Sequence, residues 1–159
     1  MKRWLIPIMV LVLLVAAGCS KEGGTDLEFK ATLAGEVHWD TTDHCASITS
    51  ITDATGTATF MDDVTAHMTH CPDAPDAANH EDGTVVLTAA DGDELDGVYD
   101  YPAIDNGAPI TITGGTGRFA NASGSLKATY GVTPVYTDGQ PDFSVPWKWE
   151  AVVNGTISY

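Results

Sequence analysis

From residue 27 onwards the sequence predicts an all-β fold, a single antiparallel barrel of about eight strands. Apolar and polar residues alternate with a period of two along most of this region, which is the pattern of strands with one buried face. Short turn signals separate the alternating segments, and no convincing helical stripe of apolar residues lies between them. Many short antiparallel strands at this spacing are typical of a barrel or a sandwich.

The first and last predicted strands favour closure into a barrel. Residues 27–39 carry apolar side chains at odd positions, from Leu27 to Trp39, with mostly polar residues between them. Residues 147–153 repeat the alternation, beginning with Trp147 and Trp149. A domain that begins and ends with long strands can pair them, which removes the exposed edges of the sheet.

Six further alternating segments lie between these two strands. In chain order they are Ala46–Ile51, Thr57–Thr69, Gly83–Ala90, Glu94–Tyr101, Pro109–Thr113 and Gly124–Tyr130. Pairs of residues that favour tight turns separate many of them. These pairs are Asp82-Gly83, Asp91-Gly92, Asn106-Gly107, Gly114-Gly115 and Asp138-Gly139.

The N-terminus has the features of an export signal. Lys2 and Arg3 precede an apolar run of about a dozen residues, which is shorter than the roughly 20 residues that a membrane-spanning helix needs. Small residues then lead to a cysteine in the segment Ala16-Ala17-Gly18-Cys19. This arrangement resembles a bacterial lipobox, in which the cysteine is acylated and the preceding peptide is removed. The alternative is a plain secretory signal with an incidental cysteine.

The predicted organisation follows from that signal. We expect residues 1–18 to be a signal peptide, residues 19–26 to be the lipidated Cys19 with a polar tether, and residues 27–159 to be the β-barrel domain. The protein would then be anchored by lipid to the extracytoplasmic side of the cell envelope, in the outer membrane if the cell has two membranes.

The charge of the chain excludes one class of partner. The formal net charge is −15, with 22 acidic residues against seven lysines and arginines. Two of those seven lie in the predicted signal peptide. A basic surface for nucleic acid is therefore absent, and phosphate backbones would be repelled.

Two cysteines remain once Cys19 is assigned to the lipid. An even pair in an exported domain predicts a disulfide between Cys45 and Cys71. Closing that loop would stabilise the fold by about 3 kcal/mol on the chain-entropy model. A pair of metal ligands is the alternative.

A glycine-rich segment runs from Gly114 to Gly124. It contains Gly115-x-Gly117-x-x-Ala120 after a predicted strand, which is superficially a dinucleotide-binding pattern. That pattern requires a helix to follow, with the pyrophosphate at its N-terminus. Residues 123–130 continue with strand alternation instead, so we reject nucleotide binding.

The same segment, read as Gly-Gly-Thr-Gly-x-Phe-x-x-Ala-x-Gly, resembles the signature of plant dirigent proteins and of the allene oxide cyclase barrel. It is also similar to uncharacterised exported bacterial proteins with that barrel. The likeness spans about residues 45–130 and implies an eight-stranded antiparallel barrel whose interior admits a small apolar ligand. In structural terms, Gly114, Gly115, Gly117 and Gly124 would allow sharp turns, and Phe119 would plug one end of the barrel.

The histidines suggest a possible metal site. All five lie within residues 38–80, and we take His44, His67 and His70 as candidate ligands for copper or zinc. Their spacing matches no standard metal motif, and His67 and His70 face opposite sides of a strand. Residues 91–97 hint at a calcium loop, but Pro102 occupies the position of the required acidic ligand, so a hairpin turn is favoured.

No catalytic arrangement stands out, since the nucleophile motif Gly-x-Ser-x-Gly is absent. The leading hypothesis is a non-enzymatic, membrane-anchored barrel, without a cofactor, that binds a small apolar ligand or serves as a surface module. The alternatives are a copper- or zinc-binding envelope protein and, by analogy with the resembled barrel, an isomerase or cyclase. An interior packed solid with Trp39, Phe60, Trp147 and Trp149 would exclude an interior ligand.

Overall fold

A computed structural model of the chain describes residues 26–40, 49–71, 83–99 and 107–159. The predicted signal peptide, Cys19 and most of the predicted tether lie outside the described residues. The described elements, in chain order, are β1 Leu27–Asp40, β2 Thr49–Ala58, β3 Asp62–His70, β4 Gly83–Ala89, β5 Glu94–Tyr99, β6 Ala108–Gly115, a 3₁₀ helix Gly117–Phe119, β7 Ser123–Thr133, β8 Tyr136–Thr137, β9 Gln140–Pro141 and β10 Trp147–Ser158. None of the described residues belongs to a helix long and apolar enough to cross a bilayer.

The sheet is a closed barrel of eight antiparallel strands, as the sequence predicts. The order around the barrel is β1-β10-β7-β6-β5-β4-β3-β2, and β2 pairs with β1 to complete the circle. Leu33 lies opposite Ala151 of β10 on one side and Gly56 of β2 on the other. The first and last strands therefore pair with each other, which confirms the expected closure.

The alternation in the sequence corresponds to the inside and outside of the barrel. In β1, Phe29, Ala31 and Leu33 are buried, whereas the residues between them are exposed. In β10, every second residue from Trp147 to Val153 is buried. Since successive side chains of a strand point to opposite faces, the apolar set fills the barrel and the acidic residues face solvent.

The predicted boundaries of two neighbouring strands are wrong. The sequence suggested separate runs at 46–51 and 57–69, but β2 continues to Ala58 and β3 begins at Asp62. The chain reverses through Phe60 and Asp62, whose φ angles are 69° and 54°. Residues other than glycine adopt the left-handed conformation here. The turn therefore lacks the glycine or proline that usually reveals a turn in a sequence.

One aromatic residue considered for the interior lies outside it. Phe60 is in the turn after β2, is 40% exposed, and contacts Tyr159 with a ring-centroid distance of 5.8 Å. It therefore takes no space inside the barrel.

The two ends of the barrel differ. At the plugged end, which holds the start of β1, the end of β10 and the 3₁₀ helix, Phe29, Phe119 and Ile157 are fully buried. At the cavity end, which holds the end of β1 and the start of β10, the interior contains a cavity. Strands β3, β5 and β7 also end there, while β2, β4 and β6 begin there.

Candidate functional site

The interior at the cavity end holds a cavity of about 380 Å³. This volume falls within the range of small-molecule sites, roughly 300 to 1,000 Å³. Aromatic, aliphatic and uncharged polar side chains line it. The aromatic ones are Trp39, Tyr99, Tyr130, Trp147 and Trp149, the aliphatic ones are Val37, Met68, Ala108, Ile110, Ala128 and Val132, and the polar ones are Ser50, Thr52 and His70.

Aromatic side chains from β1, β7 and β10 form one wall of the cavity. The rings of Trp39 and Trp147 meet edge to face, with centroids 5.0 Å apart, and Phe143 packs against both. Tyr130 and Trp149 stack farther along the wall. Such edge-to-face and offset contacts are the favoured geometries of aromatic pairs, so these rings present a defined and mainly apolar surface.

The segment between β9 and β10 holds this wall in place. Trp147 donates its indole N–H to the carbonyl oxygen of Asp142, at 2.8 Å. The Asp142 carboxylate in turn accepts hydrogen bonds from Ser144 and Thr137, which lower the pKa of Asp142 below its usual value. The indole of Trp147 is therefore oriented before any ligand arrives.

The opposite wall, on β2, β3 and β5, carries the polar groups. The Tyr99 hydroxyl lies 2.8 Å from Nδ1 of His70 and donates to the carbonyl oxygen of Thr69 at 3.3 Å. Tyr99 is paired with Gly83 on β4, and a Cβ at Gly83 would collide with the Tyr99 ring. Glycine at this position lets the tyrosine lie across β4 and reach β3.

Two hydroxyl groups extend the polar wall on β2. Ser50 and Thr52 are 1% and 3% exposed and line the cavity. Ser50 is paired with His70 across the β2–β3 ladder, so these groups share one side of the barrel. Neither hydroxyl makes a hydrogen bond to another described residue. The buried polar atoms that lack any partner among the described residues are Nε1 of Trp39, on the aromatic wall, and Oγ1 of Thr49.

The described lining of the cavity carries no charge at neutral pH. No aspartate, glutamate, lysine or arginine is among its described residues. Burial lowers the pKa of His70 from 6.5 to about 4, because desolvation penalises the imidazolium form. His70 is therefore a neutral hydrogen-bonding group.

Two of the three candidate metal ligands, His67 and His70, lie on opposite faces of β3. His67 points outward from β3 and pairs with Asp53, with Nδ1 2.7 Å from the carboxylate, whereas His70 points into the barrel. His44 lies outside the described residues. Among the residues that are described, no group of three histidine, cysteine or acidic side chains could hold a metal ion.

The disulfide between Cys45 and Cys71 stays a prediction. Cys71 follows β3 directly, at the cavity end. Cys45 lies outside the described residues.

The glycine-rich segment forms the turn from β6 to β7 at the plugged end. Gly117 has φ +52° and packs against Asp93, so a side chain there would be both strained and crowded. Gly114, Gly115 and Gly124 also have positive φ angles, at 153°, 159° and 159°, which residues with side chains rarely adopt, and a Cβ at Gly115 would collide with the carbonyl oxygen of Glu94. Phe119 of the 3₁₀ helix is fully buried and packs against Tyr159. After this single turn the chain enters β7.

The acidic turn between β4 and β5 binds a side chain of the protein itself. Arg118 contacts the carboxylates of Asp91 at 2.6 Å and Asp93 at 3.4 Å. The hydrogen bond from Arg118 lowers the pKa of Asp91. This hairpin, which was predicted in preference to a calcium loop, is thus held against the 3₁₀ helix.

No sequence motif marks Ser50, Thr52 or Tyr99 as residues of a site. A usable signal was present, since the inward positions of β2 change from Ala54 to two hydroxyl residues toward the cavity end. Polar residues at inward positions of a strand indicate either a partner or a site. No family model matches the chain, and no curated protein is significantly similar to it.

Proposed function

We propose that this chain is a lipid-anchored envelope protein that binds a small, mainly apolar ligand inside its β-barrel. The observation that carries the proposal is the cavity of about 380 Å³ at one end of an otherwise packed barrel. Burying an apolar molecule there removes its surface from water, which contributes roughly 25 cal/mol for each Å² buried.

The remaining interior supports a single binding region. Deeper in the barrel, between the cavity and the plugged end, a space of only about 30 Å³ remains, lined by residues such as Leu33, Leu95 and Leu126. That space holds about one water-sized volume. A ligand would therefore occupy the cavity end and stop at this packed layer.

The position of the predicted tether fits an anchored binding protein. Asp26, the first described residue, lies at the plugged end, where its carboxylate accepts a hydrogen bond from Ser158 at 3.0 Å. A lipid on Cys19 would therefore attach the barrel through the plugged end. The cavity end would face away from the membrane.

Filling the cavity tests the proposal directly. In the variant Ala128→Phe, a ring replaces a methyl group that lines both the cavity and the deeper space. We expect the binding of 1-N-phenylnaphthylamine, a neutral fluorescent probe of apolar sites, to weaken at least tenfold. The control is Thr129→Phe, which adds the same bulk on the outer face of the same strand.

The measurement is a fluorescence titration of the probe with the mature protein, with a melting curve for each variant to verify folding. Equal affinity in Ala128→Phe and the wild type would rule out the barrel interior as the site. No probe binding by the wild type would remove the proposal.

A further inference from the structure

The cavity has two chemically different sides. The aromatic wall lies on the neighbouring strands β7, β10 and β1, and the polar wall lies on β2, β3 and β5. A ligand with no polar group would leave the hydroxyls of Ser50 and Thr52 without a partner. A ligand with polar groups on every side would place some of them against the aromatic wall, where few hydrogen-bonding groups could pair with them. The cavity therefore favours a ligand with one apolar side and one polar side.

The hydroxyls of Ser50 and Thr52 point to a hydrogen-bonding partner. Both residues are almost completely buried, yet their hydroxyls bond to no other residue in the described ranges. A ligand oxygen at this position would give these hydroxyls a partner, because a hydroxyl can both donate and accept a hydrogen bond.

The absence of charge from the described lining argues against an ionic ligand. A carboxylate or an ammonium group would lose its hydration in this cavity, and no opposite charge among the described lining residues would compensate. His70 does not supply one, since it is neutral at physiological pH.

The aromatic wall favours a ring. Trp39, Trp147 and Trp149 offer ring edges and faces to an occupant, and the indole of Trp147 is already oriented by Asp142. A planar aromatic ligand binds such a surface more tightly than its buried area alone predicts, because aromatic rings attract one another in these geometries.

On these observations, and on the proposed ligand-binding function, we infer that the cavity takes an uncharged ring compound with a hydroxyl or carbonyl group at one end, and that this group lies against Ser50 and Thr52. The ring portion then packs against the tryptophans of β1 and β10.

The test compares three naphthalene compounds that differ in one substituent: 2-naphthol, 2-methylnaphthalene and 2-naphthoate. Each displaces 1-N-phenylnaphthylamine from the mature protein at pH 7.5. We expect 2-naphthol to bind at least as tightly as 2-methylnaphthalene, despite being less apolar, and 2-naphthoate to bind at least tenfold more weakly than either.

The decisive variant is Ser50→Ala combined with Thr52→Val, which removes both hydroxyls with little change of shape. We expect the preference for 2-naphthol over 2-methylnaphthalene to fall about five- to tenfold, the equivalent of one or two hydrogen bonds. Thr55→Val, on the outer face of the same strand, should leave the preference unchanged.

A second measurement separates ligand recognition from a structural role. Without ligand, the double variant should melt at the same temperature as the wild type or higher, because it removes unpaired buried hydroxyls. A lower melting temperature would assign the hydroxyls to the fold and overturn the inference.

The outcomes distinguish the two proposals. An unchanged preference in the double variant, or tightest binding by 2-naphthoate, would overturn the inference while leaving ligand binding intact. Failure of the wild type to bind 1-N-phenylnaphthylamine would overturn the proposed function itself.

Discussion

His70 is a partly buried side chain of the cavity whose protonation depends on folding. Its ring contacts Tyr99, with centroids 5.9 Å apart and Nδ1 2.8 Å from the hydroxyl. Burial holds its pKa at about 4, against 6.5 for an exposed histidine. Since the unfolded chain binds this proton more readily than the folded chain, acid favours unfolding.

We predict that the free energy of unfolding falls as the pH drops from about 6.5 to about 4, with His70 responsible for up to about 3 kcal/mol of the loss. Above this window the imidazole is neutral in both states and contributes no pH dependence. Chemical denaturation at a series of pH values, for the wild type and His70→Gln, measures the effect. Carboxylates also titrate in this range, so the informative quantity is the difference between the two slopes. Parallel slopes would contradict the prediction.

At the scale of elements, the segment from β6 through the 3₁₀ helix to β7 is a plug. Phe119 is fully buried, and Thr116 accepts a hydrogen bond from the backbone N–H of Glu94 at 2.9 Å. Arg118 then joins this segment to the β4–β5 turn through Asp91 and Asp93. The exposed ion pairs contribute little to stability, so the buried ring is the main contact.

We predict that Phe119→Ala lowers the free energy of unfolding by about 3 to 5 kcal/mol, because it leaves a cavity in a packed layer. The matched control is Phe60→Ala. Phe60 contacts the same tyrosine, Tyr159, but is 40% exposed, so its loss should cost about 1 kcal/mol or less. Denaturant unfolding of both variants measures the difference, and similar losses would show that Phe119 does not act as a plug.

The sequence predicted the barrel because the alternation in β1 and β10 depends only on which face of a strand is buried. It also predicted the plug, since the glycines around Phe119 require a sharp turn wherever the segment lies. The turn at Phe60 escaped prediction because its left-handed residues are not glycines. The polar wall was not predicted because Ser50, His70 and Tyr99 come from three strands. Only the register across β2, β3, β4 and β5 brings them together.

At the scale of the whole molecule, the barrel separates its proposed anchor from its proposed ligand site. The strand β1 has 14 residues, which at the usual rise and strand tilt span roughly 35 Å along the barrel. The tether would join the chain at the plugged end, and the cavity lies at the other. The tryptophans that follow the predicted signal peptide, Trp39, Trp147 and Trp149, all lie at the cavity end. Their fluorescence therefore reports the position of that end alone.

We predict that the mature protein binds vesicles through its lipid, with the cavity end away from the surface. Energy transfer from tryptophan to a dansyl-labelled lipid should be weak in the wild type. It should be stronger in Phe60→Trp, which places a donor at the plugged end, near the predicted tether. The variant Cys19→Ala should lose the acyl chains that hold the protein on the membrane and appear as unprocessed or soluble material. Efficient transfer in the wild type would show that the cavity end faces the membrane. Membrane-bound, mature-sized Cys19→Ala protein would show that Cys19 is not the anchor.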